Sequence, residues 1–303
     1  MGVKDLMSLL KKHAPNSLQK SCSHAINNIW IDTPLLVMAS AKRAEMDGQN
    51  AFDLLHSTLK KTVGEMKSLN SNAHVYFVFD GKTRREKQET VSTRCIAHDK
   101  YSARALKSRP QFRMYSTQAC LHDTQTILNM FSSHPIQSPP LDNQAESYTI
   151  PSPSYTCTTP KELSAAARQW LTLIKNVSVV QAESDSEDHI ARHMGKHDLA
   201  VTVDSDALAF GCSHVLQNYG KPTETWIWLD DVLQELQCTM QEFKTLCVLL
   251  GNDFNSRIPM CGPVTCFNSM KHTSLEEFAR IHSAPAGWIE KARATYAIFG
   301  GPV

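Results

Sequence analysis

The stretch that most limits what this chain can become is residues 199–211, where a short apolar run ends in two carboxylates, Asp204 and Asp206. Just upstream, residues 183–191 place Glu183, Asp185, Glu187 and Asp188 at the start of a helix. Acidic side chains repel one another, and a carboxylate taken out of water without a partner is costly. A chain that sets so many beside a buried strand needs a cation there. Oxygen donors without a Cys/His set among them point to a hard ion, Mg²⁺ or Mn²⁺, rather than zinc.

The same polarity recurs twice nearer the N-terminus. Residues 28–32 are a brief apolar run ending in Asp32, and residues 73–79 are the clearest strand in the chain, followed by Asp80 and Gly81. Helical patterns lie between these runs: a helix after Asp32 through Ala44, and another over residues 50–68 with Phe52, Leu55, Leu59 and Val63 at helical spacing. Strands alternating with helices predict an α/β fold, with a central, mostly parallel sheet flanked by helices. The C-terminal ends of parallel strands share one edge, where open sheets of this kind bind ligands. Asp32, Asp80 and Asp204 are thereby expected to meet. The competing account makes each Asp a helix N-cap. One such Asp would be a cap; three, plus the acidic helix start, favour a metal site.

From Lys82 to Arg113 the chain turns basic, with Lys82, Arg84, Arg85, Lys87 and Arg94 directly after Asp80. Charge runs are usually solvated helix faces. This one is lopsided in sign and tethered to a candidate metal acid, which suits it to holding phosphates beside the ions. Lys87 and Arg94, seven apart, are expected on one helix face. Residues 132–160 hold six prolines with many Ser and Thr and little charge, and read as a flexible insertion.

Further along, a helix is expected over 160–175, a strand over 177–181, more sheet at 212–216 and 225–229, and helices over 230–236 and 239–250. Asp253 then follows an apolar run. Residues 257–283 read as a helix–turn–helix around Gly262-Pro263, and 288–299 as a last helix. The N-terminal residues 1–20 give a short amphipathic helix with Leu6, Leu9 and Leu10 on one side.

Composition narrows the function classes. An apolar fraction of 42% supports a core. With 31 basic and 30 acidic residues, the molecule as a whole is not a basic nucleic-acid binder, so such a surface must come from local charge segregation. Nine cysteines without CxxC pairs suggest reduced thiols in an intracellular compartment. Cys95 and His98 lack a second pair at zinc-ligand spacing. No apolar run approaches the roughly 20 residues of a membrane span. Gly2 suggests myristoylation, but Leu6 stands where that motif wants Ser or Thr.

Taken together, these motifs resemble the flap endonuclease, or structure-specific 5′-nuclease, superfamily over nearly the whole chain. The opening Met-Gly-Val-Lys-Asp-Leu, Trp30-Ile-Asp32, Phe77-Val-Phe-Asp80-Gly-Lys82, Asp185-Ser-Glu187 before Ala191, Val203-Asp204-Ser-Asp206 and Leu249-Leu-Gly-Asn-Asp253 carry the likeness. A one-turn shift of the acidic pair to Glu183/Asp185 remains an alternative. Ile258-Pro-Met-Cys-Gly262-Pro263 resembles the family's helix–two-turn–helix.

The resemblance implies a PIN-like nuclease domain with a helical arch and two Mg²⁺ (or Mn²⁺) held by Asp32, Asp80, Asp185, Glu187, Asp204, Asp206 and Asp253. It further implies Lys87 and Arg94 as catalytic cations of a gateway helix, DNA contacts at Gly2, Lys82, Arg84, Arg85 and Gly262, and K⁺ at the two-turn motif. The expected division is a nuclease half at 1–131 with its arch at 82–131, the insertion at 132–160, a second nuclease half at 161–256, and the C-terminal helices at 257–303.

Departures from the family pattern are a non-aromatic residue near Met38 where the first helix usually stacks a base, a reduced glycine turn, and no sliding-clamp peptide. The trimmed form looks viral, which implies a monomer working in the nucleus or at a site of viral DNA replication. Branched DNA is the implied substrate. Host-shutoff-like cleavage of mRNA and an inactive nucleic-acid-binding scaffold are the alternatives.

Overall fold

The computed structural model describes residues 2–20, 26–88 and 159–301, which all fall in one contact unit. Arg94, residues 89–113 of the basic run, residues 89–131 of the expected arch and residues 132–158 of the Pro/Ser-rich stretch lie outside the described residues. Seven strands form one sheet: β1 (Leu18–Gln19), β2 (Asn28–Asp32), β3 (His74–Phe79), β4 (Val177–Gln181), β5 (Leu199–Val201), β6 (His214–Gln217) and β7 (Thr225–Trp228). Their spatial order is β1-β7-β6-β5-β2-β3-β4. From β6 to β4 neighbours run parallel; β7 is antiparallel to both its neighbours, β6 and β1. The α/β expectation holds.

Period-two alternation splits the strand side chains between two cores. Ile29, Ile31, Val75, Phe77 and Phe79 face helices α2 (Thr33–Asp47), α3 (Ala51–Leu69) and α4 (Pro160–Leu171), which contribute Val37, Leu55, Leu59, Met66, Leu163 and Leu171. Trp30, Val78 and Ala200 face the other layer. That layer contains α1 (Leu6–His13), α5 (Ser186–His193), α6 (Asp206–Phe210), α7 (Leu229–Glu235), α8 (Met240–Leu250), α9 (Pro263–Ser269), α10 (Leu275–Ile281) and α11 (Trp288–Ile298). A sheet covered on both faces is the condition under which parallel strands are stable.

Helix ends follow local chemistry. Thr159 with Glu162, and Thr239 with Glu242, form capping boxes that start α4 and α8. α4 ends at Leu171, a turn earlier than its apolar pattern suggested. The N-terminal helix stops at His13, and Leu18–Gln19 pairs with β7 instead. β7 therefore lies inside the sheet.

The helix–turn–helix near Gly262 is present as α9 and α10, but the strained position is not the glycine. Gly262 has φ −80°, whereas Met260 takes φ 65° and is fully exposed. A side chain in the left-handed region costs about 1–2 kcal/mol, and glycine gives back part of the gain through chain entropy. Met260→Gly is therefore expected to stabilise the fold by about 1 kcal/mol, read as a higher urea midpoint at unchanged m-value.

Candidate metal centre and nuclease site

The parallel strands deliver their acids to one edge. Asp32 closes β2, Asp80 follows β3, and Asp204 and Asp206 follow β5. Asp32 and Asp185 both sit at N-cap positions, yet neither side chain caps its helix. Asp32 instead accepts hydrogen bonds from Ser186 Oγ and Thr202 Oγ1, each at 2.8 Å. The cap account fails for Asp32 and Asp185 on that geometry.

Asp204, Asp206 and Asp253 form the tightest group: they are buried, and one ligand atom from each lies within 4.8 Å of the others. Thr202 Oγ1 accepts from the Asp204 N–H, and Asp204 Oδ1 accepts from the Asp206 N–H, both at 3.0 Å. Asp253 is placed by an Asx turn, in which Asn252 Oδ1 accepts from the N–H groups of Phe254 and Asn255. Both carboxylate oxygens of Asp206 are buried with no hydrogen-bond partner among the described residues. Two bare oxygens between two further acids are the donor set a hard cation fits, and their orphaned state is the observation that favours such an ion. Asp198 makes the contrast. This buried acid near the opposite end of the strands accepts from Asn28 Nδ2, Trp30 Nε1 and the Gly195 N–H, so hydrogen bonds alone satisfy it.

Electrostatics ties the remaining acids to this group. Burial, with Asp80 and Asp204 adding repulsion, pushes Asp32 up to about 7 despite its two hydroxyl donors. Burial pushes Glu187 well above the usual carboxylate range, and Asp32, Asp204 and Asp80 push it the same way. Burial also raises Asp204 and Asp206, with Asp253 adding to both. Asp80 stands at the exposed rim and accepts from the Ser186 N–H at 3.0 Å.

The start of the basic run folds back onto the acids. Gly81 allows this: its N–H donates to the Ser184 carbonyl, and a Cβ there would collide with the Ala182 and Glu183 carbonyls. Arg84 Nε donates to Asp185 at 2.7 Å, and its Nη2 to Asp188. Lys87, in a short 3₁₀ turn, donates to Asp185 Oδ1 at 2.5 Å and lies over the Phe254 ring. Burial alone would lower the Lys87 pKa, but Glu187 and Asp185 override it and hold the ammonium charged. Asp185 thus anchors cations in this structure, and Arg84 faces the acids. Lys82 and Arg85 are exposed. Gly2 sits against the site, where a Cβ would fall 1.9 Å from Asp204 Oδ1.

Sequence reasoning passed over Thr202 and Ser186, the hydroxyls that hold Asp32, and Phe254 beneath Lys87. A hydroxyl two residues before Asp204 and another beside Asp185 were the available signals.

The profile of the XPG I-region family matches residues 176–253, the segment that supplies Asp185, Glu187, Asp204, Asp206 and Asp253. Flap endonuclease 1 of Entamoeba histolytica is 24% identical over 308 residues, covering 95% of this chain and 73% of the relative. Flap endonuclease 1 of Tetrahymena thermophila is 27% identical over 292 residues, covering 91% and 67%. The chain is a nuclease. The catalytic core of Rad2 in complex with DNA substrate shares the fold, with TM-score 0.60 at 15% identity over 100% of this chain and 82% of that one.

Proposed function

We propose that this nuclease is a metal-dependent, structure-specific endonuclease that hydrolyses phosphodiester bonds in branched DNA, 5′ flaps and nicks above all. The observation that carries the reading is the convergence of Asp204, Asp206 and Asp253, with the Asp206 oxygens unpartnered. These three would hold the metal together with Asp32, Asp80 and Glu187, and Mg²⁺ suits their oxygen-only chemistry. Bound there, the ions supply an activated water and positive charge against the scissile phosphate.

The protein's own residues do the remainder. Lys87, held charged beside Glu187 and Asp185, offers a fixed cation for the charge that builds on the phosphate. Lys82 and Arg85, exposed where the chain leaves the acidic edge, suit backbone phosphates of the incoming strand. Support from kinship is that relatives along most of the chain are named flap endonucleases, and that the Rad2 core of like fold is described with a DNA substrate.

The test is Mg²⁺-dependent cleavage of labelled flap, nicked, single-stranded and RNA substrates by the wild-type chain and Asp204→Ala. The expected result is preferred cutting of flap DNA, lost in the variant while substrate binding stays. Preferred cutting of RNA replaces the DNA reading with an endoribonuclease. Binding of branched DNA without turnover replaces it with a scaffold.

A further inference from the structure

We propose that Arg84 is a positioning residue for cleavage: it bolts the segment after Asp80 onto the start of α5 and so fixes Lys87 beside the acids. The inference rests on the function proposed above, and it gives Arg84 a role other than the DNA contact expected from sequence. Its first support is a pair of ion pairs. Arg84 Nε donates to Asp185 Oδ2 at 2.7 Å, and Nη2 donates to Asp188 Oδ2. Asp185 is the N-cap residue of α5, and Asp188 lies in its first turn. Two of the three guanidinium nitrogens are thus spent inside the protein, and the side chain is only 21% exposed. A planar fork can hold two carboxylates at once, which a single ammonium cannot do with the same geometry.

The second support is how Lys87 depends on this bridge. Arg84 is the N-cap residue of the 3₁₀ turn Arg85–Lys87, and its carbonyl accepts from the Lys87 N–H at 3.1 Å. Lys87 Nζ donates to Asp185 Oδ1, while Arg84 holds Oδ2 of the same carboxylate. Arg84 therefore sets both the backbone from which Lys87 springs and the carboxylate that receives its ammonium. Upstream, the Gly81 and Lys82 N–H groups donate to the Ser184 and Glu183 carbonyls, so the segment is pinned to residues 183–188 before and at Arg84.

Removing the bolt does not strip the acids. Asp185 keeps Lys87, and Asp188 keeps Arg192, whose Nε donates to Oδ1 at 2.8 Å. Neither carboxylate is left bare in an Arg84 variant, so the fold is retained. What is lost is the fixed placement of Lys87. A displacement of about 1 Å at a reacting centre can cost on the order of 10²-fold in rate.

The test compares the full wild-type chain with Arg84→Met and Arg84→Lys on labelled flap DNA. Single-turnover cleavage in Mg²⁺ is expected to fall about tenfold or more in both variants. The Kd for the same DNA in EDTA is expected to stay within about twofold of wild type. Arg84→Lys keeps the charge but not the fork, so it fails as Arg84→Met does. A Kd raised in Arg84→Met and restored in Arg84→Lys makes Arg84 a DNA contact and overturns the proposal, as does unchanged cleavage in Arg84→Met. A second measurement needs no cleavage: acetylation of Lys87 by acetic anhydride, read by mass spectrometry against exposed Lys161 on α4. The Lys87 side chain is 17% exposed, and its relative rate is expected to rise about threefold or more in Arg84→Met. If the wild type cuts no substrate, the proposed function falls and this role with it. If it cuts and the Lys87 ratio does not move, this role alone falls.

Discussion

Asp206→Asn is expected to stabilise the metal-free protein while stopping cleavage. Asp206 is buried, its two oxygens have no hydrogen-bond partner among the described residues, and burial followed by Asp204 and Asp253 raises its pKa well above the ordinary value. Near pH 8 the folded wild type must either keep a proton there against the solvent or bury an unpaired charge, and both cost free energy. The amide removes the charge. It remains a buried polar group with unmet hydrogen bonds, so the net gain is about 1–3 kcal/mol. Cleavage is expected to fall on the order of 10³-fold, since a neutral amide no longer neutralises the metal that opposes charge on the phosphate. Excess Mg²⁺ reverses the stability order, because the wild type gains ligand-binding free energy that the variant lacks. Thermal melts in EDTA and in Mg²⁺, beside single-turnover flap cleavage, read both effects. A variant that is less stable in EDTA and still cuts would remove the account of Asp206 as a metal acid.

Without divalent ions, the wild type is expected to lose stability as pH rises from about 4 to about 7. In that window the unfolded acids have released their protons, while folded Asp32 keeps its proton until about 7, and Glu187, Asp204 and Asp206 also titrate above their ordinary values. The folded state binds more protons than the unfolded one, so raising pH favours unfolding. A rise from 3.8 to about 7 at Asp32 alone corresponds to on the order of 4 kcal/mol across the window. Lys87 does not oppose the trend, because its raised pKa keeps it charged throughout. Mg²⁺ should flatten the profile by taking the place of the protons. Urea midpoints at pH 5 and pH 7.5, in EDTA and in Mg²⁺, decide it. A flat profile in EDTA would show that the acids are not crowded in the dry setting the fold gives them.

Much of this architecture was legible in the chain. The runs ending in Asp32, Asp80 and Asp204, separated by helical periods, force parallel strands with their acids at one edge, and the structure has that edge. The turn chemistry was less legible. The left-handed position fell on Met260 rather than on the glycine two residues later. Elements such as Leu18–Gln19 escaped because two residues carry no period, and pairing with β7 alone makes them a strand.

The sequence by itself determined which carboxylates could meet, because strand polarity and alternation are local properties of the residues. Tertiary structure alone decided what each carboxylate meets there. The hydroxyls that hold Asp32 come from residues 154 and 170 positions away, Lys87 and Arg84 close on Asp185 from about a hundred, and the Asp206 carboxylate meets no hydrogen-bond partner among the described residues. The physical reason is that hydrogen bonds and desolvation act over a few ångströms of space, whatever the separation along the chain.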